Sequence, residues 1–135
     1  MNSQGAAGEV QKLRYEDLTR EIIGAAIEVH KTVGPGLLEG VYEECLCHEL
    51  KLRNLGFERQ LMVPIIYKGV ALDYGYRLDL VVENTIILEL KSVDRIHPIF
   101  EAQLLTYMRL LQKAVGLLIN FNVPVLRSGI VRKVL

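Results

Sequence analysis

The sequence predicts a single α/β domain in which a small mixed sheet is flanked by helices. Three observations support this fold class. Two helical patterns come first, three extended segments follow them, and one further helix separates those segments from a continuous apolar run at residues 115–121. A helix between two strands predicts a right-handed crossover that joins parallel strands. The order helix, helix, three strands, helix, strand therefore fits helices packed against a mixed sheet.

The two N-terminal helices are predicted from apolar side chains that recur every three or four residues. The first helix is expected at residues 13–33 and should end at the Gly-Pro-Gly sequence of residues 34–36. The second is expected at residues 38–55, with Gly56 as its C-terminal stop.

The first extended region covers residues 57–67, where Pro64 indicates an edge or bulged strand. A tight turn is expected at Lys68 and Gly69. The next strand is predicted over residues 70–82, and Gly75 is expected to mark a bend within it.

The C-terminal half supplies the remaining elements. A strand is expected at residues 86–92, a helix at 99–113 and a final edge strand at 129–135. The apolar run at 115–121 is typical of a central strand that is covered on both faces.

A hairpin joins the strands that surround residues 83–85. If those three residues form its loop, Val82 pairs with Ile86, and Asp79 lies opposite Glu89. Burial of one face should select this register, because a slip of one residue would mix apolar and charged side chains. The apolar face would then carry Leu78, Leu80, Val82, Ile86, Leu88 and Leu90. The opposite face would carry Arg77, Asp79, Glu89 and Lys91.

Two carboxylates face each other in this predicted hairpin. With Cβ atoms about 5 Å apart, Asp79 and Glu89 would repel each other unless a cation lay between them. Carboxylate oxygens suit Mg²⁺ or Mn²⁺, and the ammonium of Lys91 can reach the same spot. A solvent-facing row of charges with a cross-strand lysine would show the same pattern, so the hairpin alone leaves both interpretations open.

The composition limits the partners that the protein can have. Lys plus Arg and Asp plus Glu both number 16, so no global basic excess attracts nucleic acid, and any such binding needs a local patch. No run is apolar enough to span a membrane, and no signal peptide is recognisable. Cys45 and Cys47 cannot form a normal disulfide with each other, which favours a reducing, cytoplasmic compartment. Residues 1–12 are expected to form a flexible tail, and residues 13–135 the single domain. A homo-oligomer is compatible with the sequence.

The spacing of Asp79, Glu89 and Lys91 resembles that of the PD-(D/E)xK nucleases. In that superfamily an acid lies on the second core strand and a Glu-x-Lys motif on the third, and Leu78 stands at the position of the proline in the name. A further resemblance is carried by residues 36–42, Gly-Leu-Leu-Glu-Gly-Val-Tyr, which fit the Gly-x-x-Glu-x-x-Tyr signature of the GxxExxY family.

The likeness to the GxxExxY family covers residues 18–135. Its further motifs include residues 76–82, 101–107 and 116–121. One position departs from that family's pattern, since Phe100 stands where the family often carries His.

The resemblance implies a restriction-endonuclease-like core and metal-dependent cleavage of phosphodiester bonds in nucleic acid, with DNA favoured over RNA. It implies that Mg²⁺ or Mn²⁺ is held by Asp79, Glu89, the Leu90 carbonyl and Glu39. The catalytic residues that it implies are Lys91, Glu89, Asp79 and Gln103. The substrate-binding candidates are Arg77, Tyr107 and Tyr42.

Each of these roles has a structural alternative. Glu39 also suits the dipole of a first helical turn. Tyr42 and Tyr107 are also ordinary core residues, and Gln103, on the same helix face as Tyr107, also suits the edge of a core. For the whole chain, the rival to a nuclease is a catalytically inactive nuclease fold that serves as a binding or adaptor module. A weaker third option is an enzyme that acts on small nucleotides.

Overall fold

The computed structural model describes residues 3–135, with side chains from Tyr15 onward. The helices are α1 (Ser3–Val33), α2 (Glu39–Leu52) and α3 (Pro98–Leu111), with a short 3-10 helix at Leu126–Gly129. The strands are β1 (Phe57–Met62), β2 (Ile65–Tyr67), β3 (Val70–Leu72), β4 (Arg77–Val82), β5 (Ile86–Lys91), β6 (Val115–Asn120) and β7 (Ile130–Val134). This is the predicted α/β architecture.

A mixed five-stranded sheet forms the centre of the domain, with the strand order β1-β4-β5-β6-β7. β5 and β6 are parallel, as the intervening helix predicts, and the other neighbouring strands are antiparallel. Every residue of β6 is buried, which confirms the expectation of a central strand covered on both faces. The parallel pairing places Lys91 beside Asn120 at the end of β5.

Separate apolar clusters cover the two faces of this sheet. On one face α1 and α2 pack through residues such as Ile22 and Leu46 against Leu80, Leu88 and Leu117. On the other face α3 packs through a cluster that comprises Val63, Leu78, Val81, Ile87, Leu104, Tyr107, Met108 and Leu118. The sheet is therefore buried between helices, and polar side chains in its interior need specific partners.

The helix boundaries differ from those predicted. α1 begins at Ser3 instead of residue 13, so its backbone continues through most of the expected tail; Met1 and Asn2 lie outside the described residues. The division of the chain at residue 13 stays a prediction. α2 ends at Leu52, and the left-handed residue beyond it is Asn54, with φ of 59°, instead of Gly56.

The strand predicted at residues 70–82 is broken into β3 and β4. The break contains Gly75, whose amide donates to the Asp73 carboxylate at 2.9 Å, so the expected bend is present. β2 and β3 form a separate two-stranded sheet. Lys68 and Gly69 connect these strands with φ values of 48° and 82°, as a type I′ turn requires.

The register of the central hairpin agrees with the prediction. Val82 pairs with Ile86, and Leu80 pairs with Leu88. The loop residue Asn84 has a φ of 51°, as expected for a left-handed loop position.

The predicted common apolar face is wrong for Leu78. Leu80 packs on the α2 side of the sheet, whereas Leu78 and its β1 partner Leu61 pack on the α3 side. On β1, Gln60 lies between Arg59, which pairs with Leu80, and Leu61, which pairs with Leu78. The backbone of Gln60 is left-handed, with a φ of 51°. The left-handed residue of β1 thus lies opposite Asp79.

Candidate active site

The two predicted carboxylates lie where β4 and β5 separate. The regular ladder ends at the pair Leu80–Leu88. Beyond it, the Leu90 amide donates to Asp79 Oδ2 at 2.8 Å, and the Asp79 amide donates to Glu89 Oε1 at 3.3 Å. Each carboxylate thus accepts a main-chain donor from the neighbouring strand. We call the space between Asp79 and Leu90 the strand gap.

Glu89 is strongly perturbed by its surroundings. Its side chain is 5% exposed, and burial, together with the charge of Asp79, raises the pKa of Glu89 to about 8. Burial likewise raises the pKa of Asp79, despite the hydrogen bond from the Leu90 amide. A pair of carboxylates of which one is buried and the other half-buried binds either a proton or a cation more readily than exposed carboxylates do.

Lys91 supplies positive charge to the same place. Its charge opposes the rise in the pKa values of Glu89, Asp79 and Glu39, so its ammonium lies within electrostatic range of all three carboxylates. The Lys91 Nζ lies 4.5 Å from the ring centroid of Phe100 on α3, a distance that permits a cation–π interaction. The structure therefore brings Asp79, Glu89 and Lys91 together.

Glu39 is the first residue of α2 and reaches this region from the helix. It lines a cavity of about 220 Å³. Desolvation raises the pKa of Glu39, and the charge of Asp79 contributes to the increase. The other residues that line this cavity are Gly40, Glu43, Gln60, Asp79 and Leu90.

Two polar residues near the strand gap were missed by the sequence analysis. The Gln60 amide donates to Glu43 Oε1 at 2.6 Å and to Asp79 Oδ1 at 3.3 Å. Arg59 holds the other oxygen of Glu43 at 2.7 Å. Glu43 follows Glu39 by four residues on one helix face, a spacing that could have identified it. Gln60 carried no such signal, because its position depends on a left-handed backbone.

Comparison with known protein families agrees with this geometry. The matching family model is described as the PD-(D/E)XK nuclease superfamily and covers residues 16–133. The chain belongs to this superfamily. Neither a comparison with curated proteins nor one with solved structures finds a match. Within the described part of this PD-(D/E)XK domain, no helix is both long and apolar enough to cross a membrane.

The remaining predicted residues of the PD-(D/E)XK domain lie at different depths. Tyr107 is buried on α3, and burial, together with the charge of Glu89, raises the pKa of Tyr107 to about 12. Gln103 lies one turn earlier on that helix and is partly exposed. Arg77, at the start of β4, is exposed to solvent.

Tyr42 is a core residue of the PD-(D/E)XK domain. It is 0% exposed, and its ring stacks on Phe121 with centroids 4.4 Å apart. Its hydroxyl donates to the Gly34 carbonyl at 2.6 Å and accepts from the Leu37 amide at 3.1 Å. Since the ring and the hydroxyl are both engaged, the core interpretation replaces that of substrate binding.

The chemistry of the donor groups in this PD-(D/E)XK domain suits Mg²⁺ or Mn²⁺. The carboxylates of Asp79 and Glu89 are oxygen ligands, and the Leu90 carbonyl points towards the same neighbouring strand as its amide, which is bound to Asp79. Across residues 15–135, however, no three His, Cys, Asp or Glu side chains are grouped so that they could hold a metal ion. The oxygen ligands that fit a metal ion are therefore the carboxylates of Asp79 and Glu89 and the Leu90 carbonyl. Glu39 lies nearby on α2.

Proposed function

We propose that this protein is a metal-dependent nuclease that hydrolyses phosphodiester bonds of nucleic acid. The observation that carries the proposal is the pairing of buried Glu89 with half-buried Asp79 beside Lys91, in a domain of a nuclease superfamily. Asp79, Glu89, the Leu90 carbonyl and Glu39 would hold Mg²⁺ or Mn²⁺. When bound, the ion would lower the pKa of a coordinated water and neutralise charge on the phosphate.

The other residues have roles that follow from their positions. The Lys91 ammonium would orient the attacking water and offset negative charge that develops on the phosphate. Its contact with Phe100 is to a ring face, which leaves the N–H donors of Lys91 available. Gln103 would orient water or phosphate from α3, and the exposed Arg77 would contact a neighbouring phosphate.

Substitution of Lys91 tests this proposal. The protein would be incubated with Mn²⁺ and with single- and double-stranded DNA and RNA, and initial cleavage rates measured. Lys91→Ala should reduce the rate by about 100-fold or more, because a donor aimed at developing charge is lost. Lys113→Ala is the matched control, since that lysine binds Asn84 in the hairpin loop. No cleavage by the unsubstituted protein, together with no metal binding in calorimetry, would refute the proposal.

The second candidate function is a catalytically inactive nuclease fold that acts as a binding or adaptor module. It is favoured by the hydrogen bonds that Asp79 and Glu89 already accept from the main chain. The melting temperature with and without Mn²⁺ separates the two candidates. A native site should stabilise the fold by about 2.7 kcal/mol at a hundredfold excess over Kd, whereas an adaptor should not respond.

The finer assignments remain part of the proposal. Membership of the GxxExxY family is supported by residues 36–42, whose Glu39 lines the cavity beside Asp79. A preference for DNA over RNA and a homo-oligomeric state are also proposed. The free thiols of Cys45 and Cys47 support the cytoplasmic compartment that we propose.

A further inference from the structure

Three exposed tyrosines lie close together in the chain segment that precedes β4. Tyr67 is 63% exposed, Tyr74 is 76% exposed and Tyr76 is 46% exposed. The whole chain contains six tyrosines and no tryptophan, so half of its tyrosines lie in this segment. We call residues 65–76, which comprise β2, β3 and the break before β4, the tyrosine arm.

The tyrosine arm lies outside the five-stranded sheet and has little cover of its own. β2 and β3 are three residues each and pair only with each other. Ile66 on one face of this ribbon and Val70 on the other are both exposed. A two-stranded ribbon is marginally stable alone. Both faces of this ribbon therefore carry apolar side chains that a partner could cover.

Exposed rings beside cations make nucleic acid the partner that fits the arm and its base. The Lys68 Nζ lies 5.5 Å from the ring centroid of Tyr67, so a cation stands beside an exposed aromatic ring. The one carboxylate of the arm, Asp73, accepts a hydrogen bond from the Gly75 amide. Arg77 follows at the base of the arm and is exposed. Ring faces that stack on bases, with cations that meet phosphates, are how proteins bind single strands.

The arm is continuous with the candidate active site. The ring of Tyr76 packs edge-on against Tyr107, with centroids 6.4 Å apart. Tyr107 in turn packs in the same buried cluster as Leu78, the residue that precedes Asp79 on β4. A nucleotide that stacks on Tyr76, at the base of the arm, would therefore lie on the side of the domain that holds the strand gap.

We propose that the tyrosine arm stacks on unpaired bases and thereby selects single-stranded segments of nucleic acid as the substrate. The inference rests on the proposed function for the meaning of the substrate, and its binding step can be measured alone. A base presents its face to a tyrosine only when it is not stacked within a duplex. Single-stranded nucleic acid should therefore bind more tightly than duplex.

Binding without catalysis tests the proposal. Fluorescence anisotropy in EDTA would compare a labelled single-stranded oligothymidylate, an oligouridylate and a blunt duplex. The double variant Tyr67→Ala/Tyr74→Ala should bind both single strands at least about tenfold more weakly, with duplex binding unchanged. Tyr67→Phe/Tyr74→Phe should bind like the unsubstituted protein, because the ring faces remain. Leu52→Ala, at an exposed apolar residue of α2, is the control.

Several results would overturn the role of the arm. The first is an affinity for single strands that is unchanged in the double alanine variant. The second is a double alanine variant that loses duplex binding as much as single-strand binding. The third is an unsubstituted protein that binds no nucleic acid. A sedimentation measurement in which that variant converts a dimer to a monomer would instead identify a self-association surface.

The two proposals fail in distinguishable ways. Arm-dependent binding without Mn²⁺-dependent cleavage would leave the arm proposal standing and refute catalysis. Cleavage that requires Lys91, together with nucleic-acid binding that the arm substitutions do not change, would support the nuclease proposal and refute the arm proposal.

Discussion

The charge carried by Glu89 controls what the strand gap can bind. Its pKa of about 8 means that, without a cation, the carboxyl group keeps its proton at neutral pH. The positive charge of Lys91 lowers the pKa of Glu89, but by less than burial and the charge of Asp79 raise it. A nearly buried acid that holds a proton beside a second acid, Asp79, is typical of functional sites and is expensive for stability once it ionises.

Stability of the metal-free protein should therefore depend on pH. The folded-state pKa of Glu89, about 8, exceeds the ordinary value of 4.5, so the folded state retains this proton more strongly than the unfolded chain. The stabilisation is complete below about pH 4.5 and is lost as the pH rises through about 8. We expect the melting temperature in EDTA to fall over that interval.

Glu89→Gln should remove most of this fall in melting temperature, because the amide has no proton to lose. Glu58→Gln, at an exposed position of β1, should keep it. Thermal unfolding followed by circular dichroism at a series of pH values makes the comparison. An equal decrease in Glu89→Gln would show that another group controls the pH dependence.

Phe100 should position the ammonium of Lys91. Phe100→Leu removes the ring and keeps an apolar side chain, and a lost cation–π interaction corresponds to a rate about 3- to 30-fold lower. Phe100→Tyr should retain activity. The ring-current shift of the Lys91 methylene protons in NMR gives a readout that is independent of catalysis. Phe57→Leu is the control, because it removes a ring 5.9 Å from Lys51, outside the site.

Phe100→Leu could lose the ring-current shift and still cleave as fast as the unsubstituted protein. That result would show that the Phe100 ring does not position Lys91 for catalysis.

At the scale of elements, two helices end on left-handed residues that are not glycine. Asn54 follows α2 with φ of 59°, and the Leu55 amide beyond it donates to the Leu50 carbonyl at 2.9 Å. Gln112 caps α3 with φ of 56°. Asparagine tolerates this conformation well, whereas glutamine has a Cβ that crowds the backbone and no short polar side chain to compensate.

Gln112→Gly should stabilise the protein by about 1 kcal/mol, since glycine adopts the left-handed conformation without that crowding. The hydrogen bond that the main-chain amide of residue 112 donates to the Arg109 carbonyl does not depend on the side chain and is kept. The free energy of unfolding in urea is the measurement. Ala102→Gly, at an exposed position inside α3, should lower it by about 1 kcal/mol. If both substitutions destabilise, the end of α3 is not limited by the conformation of Gln112.

At the scale of the whole molecule, close packing around β6 joins α3 and the C-terminal segment to the sheet. A Cβ atom on Gly116 would lie 2.8 Å from the Met108 sulfur and 3.1 Å from Leu104 Cδ1, both on α3. A Cβ atom on Gly129 would collide with the main-chain oxygen of Asn120. The first obstacle is a flexible side chain, whereas the second is backbone.

Gly129→Ala should therefore cost more stability than Gly116→Ala, about 3 kcal/mol against about 1 kcal/mol. Urea unfolding monitored by circular dichroism gives both values. Gly40→Ala in α2 is the control, because apart from the adjacent residues and the helix's own backbone no atom lies within 4 Å of the added carbon. It should stabilise the helix by about 0.5–1 kcal/mol. Equal costs at Gly116 and Gly129 would mean that the backbone near Asn120 relaxes freely.

The amino-acid sequence by itself determined the order of the helices and of the central strands β4, β5 and β6, the fold class and the register of the central hairpin. These depend on local patterns, because alternating apolar residues such as Val82 and Ile86 can be buried in only one register. The separation of two strands by one helix likewise determined that β5 and β6 are parallel. For the same reason Asp79, Glu89 and Lys91 could be identified as one set before their positions were known.

Only the tertiary structure decided the rest. Gln60, whose own backbone is left-handed, contacts Asp79, and Leu78 packs beside α3 whereas Leu80 packs beside α2. The exposure of Tyr67 depends likewise on which elements fail to cover β2 and β3. Such features arise from contacts between distant segments, and no spacing within the chain encodes them.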